Sequence, residues 1–110
     1  MKLSAVIITK NEEKNIKDCL ECLRFCDELI LVDSGSTDQT VSLAKTFGAT
    51  VYEREFTDFA SQKNYGIEKA GGEWVLLVDA DERVSEALAG EIQKALKNPE
   101  ATGYYFLRKN

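Results

Sequence analysis

Trp74-Val75-Leu76-Leu77-Val78 is apolar at five consecutive positions and stops at Asp79-Ala80-Asp81-Glu82. A strand with one face in water would alternate. An unbroken run rich in β-branched and aromatic residues reads as a strand buried on both faces, the habit of parallel sheets covered by helices. Leu29-Ile30-Leu31-Val32, ending at Asp33-Ser34-Gly35-Ser36-Thr37-Asp38, repeats the pattern. Whatever follows such strands lies at the carboxyl edge of the sheet, where open α/β folds bind ligands. Carboxylates placed there have no partner in their own strand and face solvent, a cation or a ligand. Their hard oxygens suit Mg²⁺ or Mn²⁺, commonly shared with substrate phosphates. Taken alone, Asp79-Ala80-Asp81 also reads as a polar turn before a helix starting at Ser85, and the segment after Val32 as an ordinary strand-to-helix loop. Two acidic strand ends in one short chain favour a nucleotide site. Ser36 with Gln39 three positions later fits a capping box, which would present a helix N-terminus to an anion. Asp33 is able to accept hydrogen bonds from a base or ribose.

The remaining segments alternate. Leu3 to Thr9 reads as a strand, and Lys10-Asn11-Glu12-Glu13 opens a helix to about Phe25, with Ile16, Leu20 and Leu23 at helical spacing. Helices are expected over Thr37–Phe47, from Thr57 or Asp58 to Lys69, and over Ser85–Lys97. Thr50–Glu53 is a short strand and Tyr104-Tyr105-Phe106-Leu107 a last one. Such alternation predicts right-handed βαβ units in a three-layer α/β/α domain with a mostly parallel sheet, spanning residues 1–110 as one unit.

Charge excludes one class of partner. With 14 basic and 19 acidic side chains the net charge is −5, which argues against nucleic acid. An acidic domain that takes a nucleotide diphosphate must offset repulsion locally, with a divalent cation or well-placed Lys and Arg. No apolar stretch reaches the length of a membrane span, and Lys2 is followed at once by a strand, so a cytoplasmic protein without a leader is expected. Cys19, Cys22 and Cys26 fall at i, i+3, i+7 on the first predicted helix. With no histidine and an odd cysteine count, they read as packing residues rather than metal ligands or disulfides.

Four motifs in order carry a resemblance. They are Ala5-Val6-Ile7-Ile8-Thr9-Lys10-Asn11-Glu12, Val32-Asp33-Ser34-Gly35-Ser36-Thr37-Asp38, Lys63-Asn64-Tyr65-Gly66-Ile67, and Gly72-Glu73-Trp74 leading into Asp79-Ala80-Asp81-Glu82. Over nearly all 110 residues the chain resembles the N-terminal, donor-binding half of glycosyltransferase family 2, which has the Rossmann-like GT-A fold. The Asp-Ser-Gly-Ser-Thr-Asp and Asp-Ala-Asp-Glu variants are most similar to bacterial lipopolysaccharide core β-glucosyltransferases.

The resemblance implies a nucleotide-diphospho-sugar donor, a UDP-sugar first, and Mn²⁺ or Mg²⁺ as cofactor. It implies that Thr9, Asn11 and Glu12 shape the nucleotide pocket, that Asp33 lies near base and ribose, and that Lys63 faces the diphosphate. Asp81 corresponds to the direct metal ligand, with Asp79 assisting towards the nucleotide's ribose or the metal, while Glu82 orients the turn. Ser34 replaces a second acid common in the family and bears on the base contact. Inverting transfer also needs a general base for the acceptor hydroxyl. Glu86, Glu91 and Glu100 belong to a helix and its exit, so the base and the site for a saccharide or glycolipid acceptor are expected beyond Asn110. The chain then reads as truncated before that half, with a homodimer through the exposed last strand and peripheral attachment of the whole enzyme to the inner face of the membrane. Two other classes stay open: a nucleotide-diphosphate binding module without turnover, and another Mg²⁺-using α/β protein.

Overall fold

In a computed structural model of the chain, residues 3–97 are described in full and 107–109 by their backbone. The elements run β1 (Leu3–Thr9), α1 (Ile16–Cys22), β2 (Glu28–Asp33), α2 (Thr40–Thr46), β3 (Thr50–Glu53), α3 (Phe59–Lys69), β4 (Trp74–Asp79), α4 (Glu86–Leu96) and β5 (Leu107–Lys109). The sheet order is β3-β2-β1-β4-β5, parallel except for β5, which pairs antiparallel with β4. The chain therefore builds outward from β1 in one direction, then returns to place β4 on the other side. That reversal opens a crevice between the carboxyl ends of β1 and β4, where Ile8 pairs with Asp79.

Successive residues of β1 serve opposite faces, as the pleat dictates. Leu3, Ala5 and Ile7 join Ile16 and Leu20 of α1, Ala44 of α2 and Ile92 of α4 in one core. Val6 packs with Ile30, Val32, Val75 and, from α3, Tyr65 and Ile67 in the other. Helices thus cover both faces, and the unbroken apolar runs are explained. Gly66 sets the closeness of α3: a methyl group there would collide with Val6 Cγ1 and lie 3.2 Å from Val32 Cγ2. No helix of the described residues is long and apolar enough to cross a membrane.

The limits of β1 to β4 match the sequence reading closely, whereas two helix starts do not. α1 begins at Ile16 and ends at Cys22, because residues 10–15 are held in turns by side chains of the neighbouring loop. Cys26 consequently lies beyond α1 rather than on its face. All three thiols are free. Burial first, then nearby Cys22, pushes Cys19 up to about 12, and burial first, then Asp27, does the same for Cys26, so both pack as neutral groups. Ser36 does not cap α2, which starts at Thr40; the Ser36 hydroxyl donates to Asp33 instead. Of the two residues expected at the start of α3, Asp58 is the cap and accepts from the Ser61 amide; Ser85, expected as the first residue of α4, is its cap and accepts from the Leu88 amide. Of the expected last strand, Tyr104 to Phe106 lie outside the described residues, and β5 runs on from Leu107.

Candidate functional site

Three loops meet at the carboxyl edge, after β1, β2 and β4. Thr9 and Asp33 end adjacent strands and face each other in register. The Thr9 hydroxyl donates to Asp33 Oδ1 at 2.7 Å, and both residues are buried. Asp33 accepts three more hydrogen bonds, from the Ser36 hydroxyl and from the Gly35 and Ser36 amides. Its oxygens are spent on its own loop, which turns through Gly35 at φ +87°. In this structure those oxygens hold the shape of the loop that borders the pocket. Ser34 lies at the lip, its hydroxyl donating to the Thr9 carbonyl at 3.3 Å.

Asn11 adopts φ +51°, in the left-handed region that asparagine tolerates better than most residues. This lets its side-chain oxygen accept from the Thr37 amide while its own amide donates to the Ser36 hydroxyl, each at 2.8 Å. The Glu12 amide donates to the Thr40 hydroxyl, and a Glu12 carboxylate oxygen accepts from Asn15 Nδ2. Asp38 completes the lacing by accepting from the Glu13 amide. Slight desolvation raises its pKa, but bonds from the Thr40 hydroxyl, the Thr40 amide and the Glu13 amide outweigh this and hold it below the ordinary carboxylate value.

Across the crevice, Asp79 ends β4 and Asp81 follows one residue past buried Ala80. Both carboxylates are exposed and make no hydrogen bond or ion pair among the described residues. Their backbone is fixed. Glu82 Oε1 accepts from the Asp79 amide at 2.8 Å, and the Glu82 amide returns a bond to the Asp79 carbonyl. Glu82 thus orients the turn, as the sequence implied. Arg83 donates to the Ala80 and Glu82 carbonyls and, across the crevice, to Asn15 Oδ1 at 3.3 Å. No group of three or more His, Cys, Asp or Glu among the described residues could hold a metal ion by itself.

A cleft of about 350 Å³ opens at this edge, lined by Ile8, Thr9, Lys10, Glu12, Ser34, Phe56 and Phe59. Lys63 is half-buried on α3 and does not line it. A larger hollow of about 690 Å³, bordered by Leu3, Phe25 and Lys94, lies at the opposite edge and carries none of the acidic loops. Sequence reasoning missed the aromatic wall. Phe56 and Phe59 are 42% and 63% exposed and meet edge to face at 5.0 Å; two phenylalanines flanking a cap residue were its only sequence signal. It also missed Gln62, wholly buried on α3, which accepts from Arg54 Nη1 at 2.7 Å and donates to the Arg54 carbonyl, anchoring the segment after β3.

Comparison with known proteins adds to this geometry. The description "Glycosyl transferase family 2" matches residues 4–109. An uncharacterized glycosyltransferase of Rickettsia typhi is 42% identical over 93 residues, covering 84% of this chain and 32% of the relative. The lipopolysaccharide core biosynthesis glycosyltransferase LpsC of Rhizobium meliloti is 38% identical over 93 residues, covering 80% and 34%. Among solved structures, S. aureus TarS 1–349 in complex with UDP-GlcNAc superposes with a TM-score of 0.75 at 28% identity, over 88% of this chain and 31% of that one. The mannosyltransferase PcManGT from Pyrobaculum calidifontis, in complex with GDP-Man and Mn²⁺, gives 0.73 at 27% identity, over 89% and 33%. The chain spans about a third of the length of these curated relatives. Because the family match runs from the second residue of β1 to the last of β5, it takes in every strand of the sheet, and the chain belongs to glycosyl transferase family 2, with the GT-A form of the α/β fold.

Proposed function

We propose that this chain is the donor-binding part of a metal-dependent, inverting glycosyltransferase. Its donor is a nucleotide-diphospho-sugar, a UDP-sugar first, used for cell-envelope polysaccharide or lipopolysaccharide at the cytoplasmic side of the membrane. One observation carries the reading: Asp79 and Asp81, unpaired among the described residues, stand on a braced loop beside the end of β1. The donor set fits a divalent cation. Mg²⁺ and Mn²⁺ accept hard carboxylate oxygens and keep water and substrate phosphates as remaining ligands, so two aspartates suffice. When bound there, such a metal would neutralise charge on the leaving diphosphate. The chain's own residues do the holding: Asp81 and Asp79 bind, Thr9 with Asp33 and Asn11 with Thr37 keep the nucleoside loops in shape, and Glu12 and Ser34 border the pocket. Lys63 supplies positive charge toward the diphosphate from α3. Similarity to LpsC supports the envelope role, and the TarS and PcManGT complexes support the donor class and the metal.

Acceptor and general base belong to residues outside these 110. The donor part alone is expected to bind without transferring sugar, since base assistance contributes about 10²–10⁴-fold and acceptor positioning up to about 7–11 kcal/mol. Calorimetric titration with UDP, in Mn²⁺ and then in EDTA, tests the reading. Binding in Mn²⁺ and its loss in EDTA is the expected pair. Equal binding in both removes the metal, and no binding in either removes the nucleotide.

A further inference from the structure

Two sulfurs of α1 touch the acidic loop at its two ends. The Cys19 thiol lies 3.8 Å from the Asp79 carbonyl as its donor. Cys22 Sγ accepts the Val84 amide at 3.2 Å. The Cys22 proton is directed elsewhere, to the Cys19 carbonyl at 2.9 Å, which leaves the sulfur lone pair free for Val84. Asp79 and Val84 bracket the segment that carries Asp81. Inside the bracket, Glu82 and Arg83 tie the loop to itself. Of these internal bonds only the Arg83–Asn15 contact reaches the β1–α1 segment; the segment is otherwise held by the pairing of Asp79 with Ile8 and by the packing of Ala80 and Val84 against the core.

We propose that Cys19 and Cys22 are positioning residues for Asp79 and Asp81, fixing the height of the acidic loop over the sheet edge from below. The proposal rests on reading those aspartates as the groups that hold metal and diphosphate. Sulfur suits the task sterically. Cys19 is wholly buried against β1 and β4 residues, so a small polarisable side chain fills the core and still reaches a backbone carbonyl. Cys22, half-buried at the end of α1, accepts an amide that has no other partner among the described residues.

The test compares Cys22→Ala, Cys22→Val and Cys22→Ser in the 110-residue chain. Cys22→Val keeps the volume without the acceptor, so it stands in if the alanine variant folds poorly, and Cys22→Ser restores an acceptor. Amide hydrogen exchange at Val84 is read without metal, and UDP affinity is read in Mn²⁺. Losing the acceptor should speed Val84 exchange about tenfold and weaken UDP binding about 3- to 10-fold, while amides of β1 and β2 keep their protection. Serine should recover both readouts. Unchanged Val84 exchange in the alanine and valine variants overturns the proposal, as does full UDP affinity once Val84 has been freed. Absence of UDP binding by the parent chain, with Val84 exchange responding as expected, would instead overturn the functional reading on which the positioning role rests.

Discussion

Thr9 Oγ1 and Asp33 Oδ1 lie 2.7 Å apart, joining the last residues of two neighbouring parallel strands where neither side chain meets solvent. A buried carboxylate with fewer donors than it needs is costly, so each of its four donors carries weight. Thr9→Val keeps the shape and removes one donor. The expected loss is about 1–3 kcal/mol, seen as a lower urea midpoint at unchanged slope. A variant as stable as the parent would show the hydroxyl to be dispensable.

Asp81→Ala should separate binding from folding. The residue is exposed and unpaired among the described residues, so stability should stay within about 0.5 kcal/mol of the parent. UDP binding in Mn²⁺ should weaken by about 1–3 kcal/mol, and titration in EDTA should no longer distinguish variant from parent. Unaltered affinity in Mn²⁺ would reduce the acidic loop to a turn.

Gly66→Ala sets two effects against each other. Alanine gains about 1 kcal/mol of helix propensity over glycine. The new methyl would collide with Val6 Cγ1 on the central strand, which is packed on both faces and has nowhere to move. Overpacking of this kind costs about 1–3 kcal/mol. The collision should win, and thermal unfolding should show a lower midpoint. A raised midpoint would mean that α3 lifts from the sheet without penalty.

Asp58 gives a pH signature. Its carboxylate caps α3, and the Ser61 amide, then the Ser61 hydroxyl, holds its pKa below the ordinary 3.8. A depressed folded-state pKa contributes stability that is present above the unfolded value and lost as pH falls through the folded one. Asp58→Ala should therefore melt lower than the parent at neutral pH, with the gap narrowing once pH drops below about 4. A gap that stays constant into the acid range would show that the charge on Asp58 does not matter to the cap.

The strands and the order of elements were legible because burial on both faces leaves a clear record: Ile30 to Val32, Val75, Leu76 and Val78 are buried, and Leu29, Trp74 and Leu77 are half-buried. Placement of Asp79 and Asp81 at the sheet edge followed from that alone. The starts of α1 and α2 were not legible. At Asn11 and Ser36 the decision is made by partners about 25 residues away, in hydrogen bonds that no local propensity encodes. Asp33 could be placed but not oriented, since whether its oxygens turn outward depends on Thr9 and Ser36. The Phe56–Phe59 wall escaped for a similar reason: an exposed aromatic pair is informative only once the cleft beside it exists.

Placing β4 beside β1 has a consequence for the order of events during folding. The pairing of Ile8 with Asp79 and the bond from Arg83 to Asn15 join positions about 70 residues apart, whereas β1, β2 and β3 close on one another over far shorter spans of chain. Loop closure over the longer span carries the larger entropy cost and comes late. A nascent chain that has reached only Glu53 contains both residues of the Thr9–Asp33 contact, yet it lacks the strand that brings the acidic loop. Competence to bind a charged ligand should arrive in one step, when the fourth strand zips against the first.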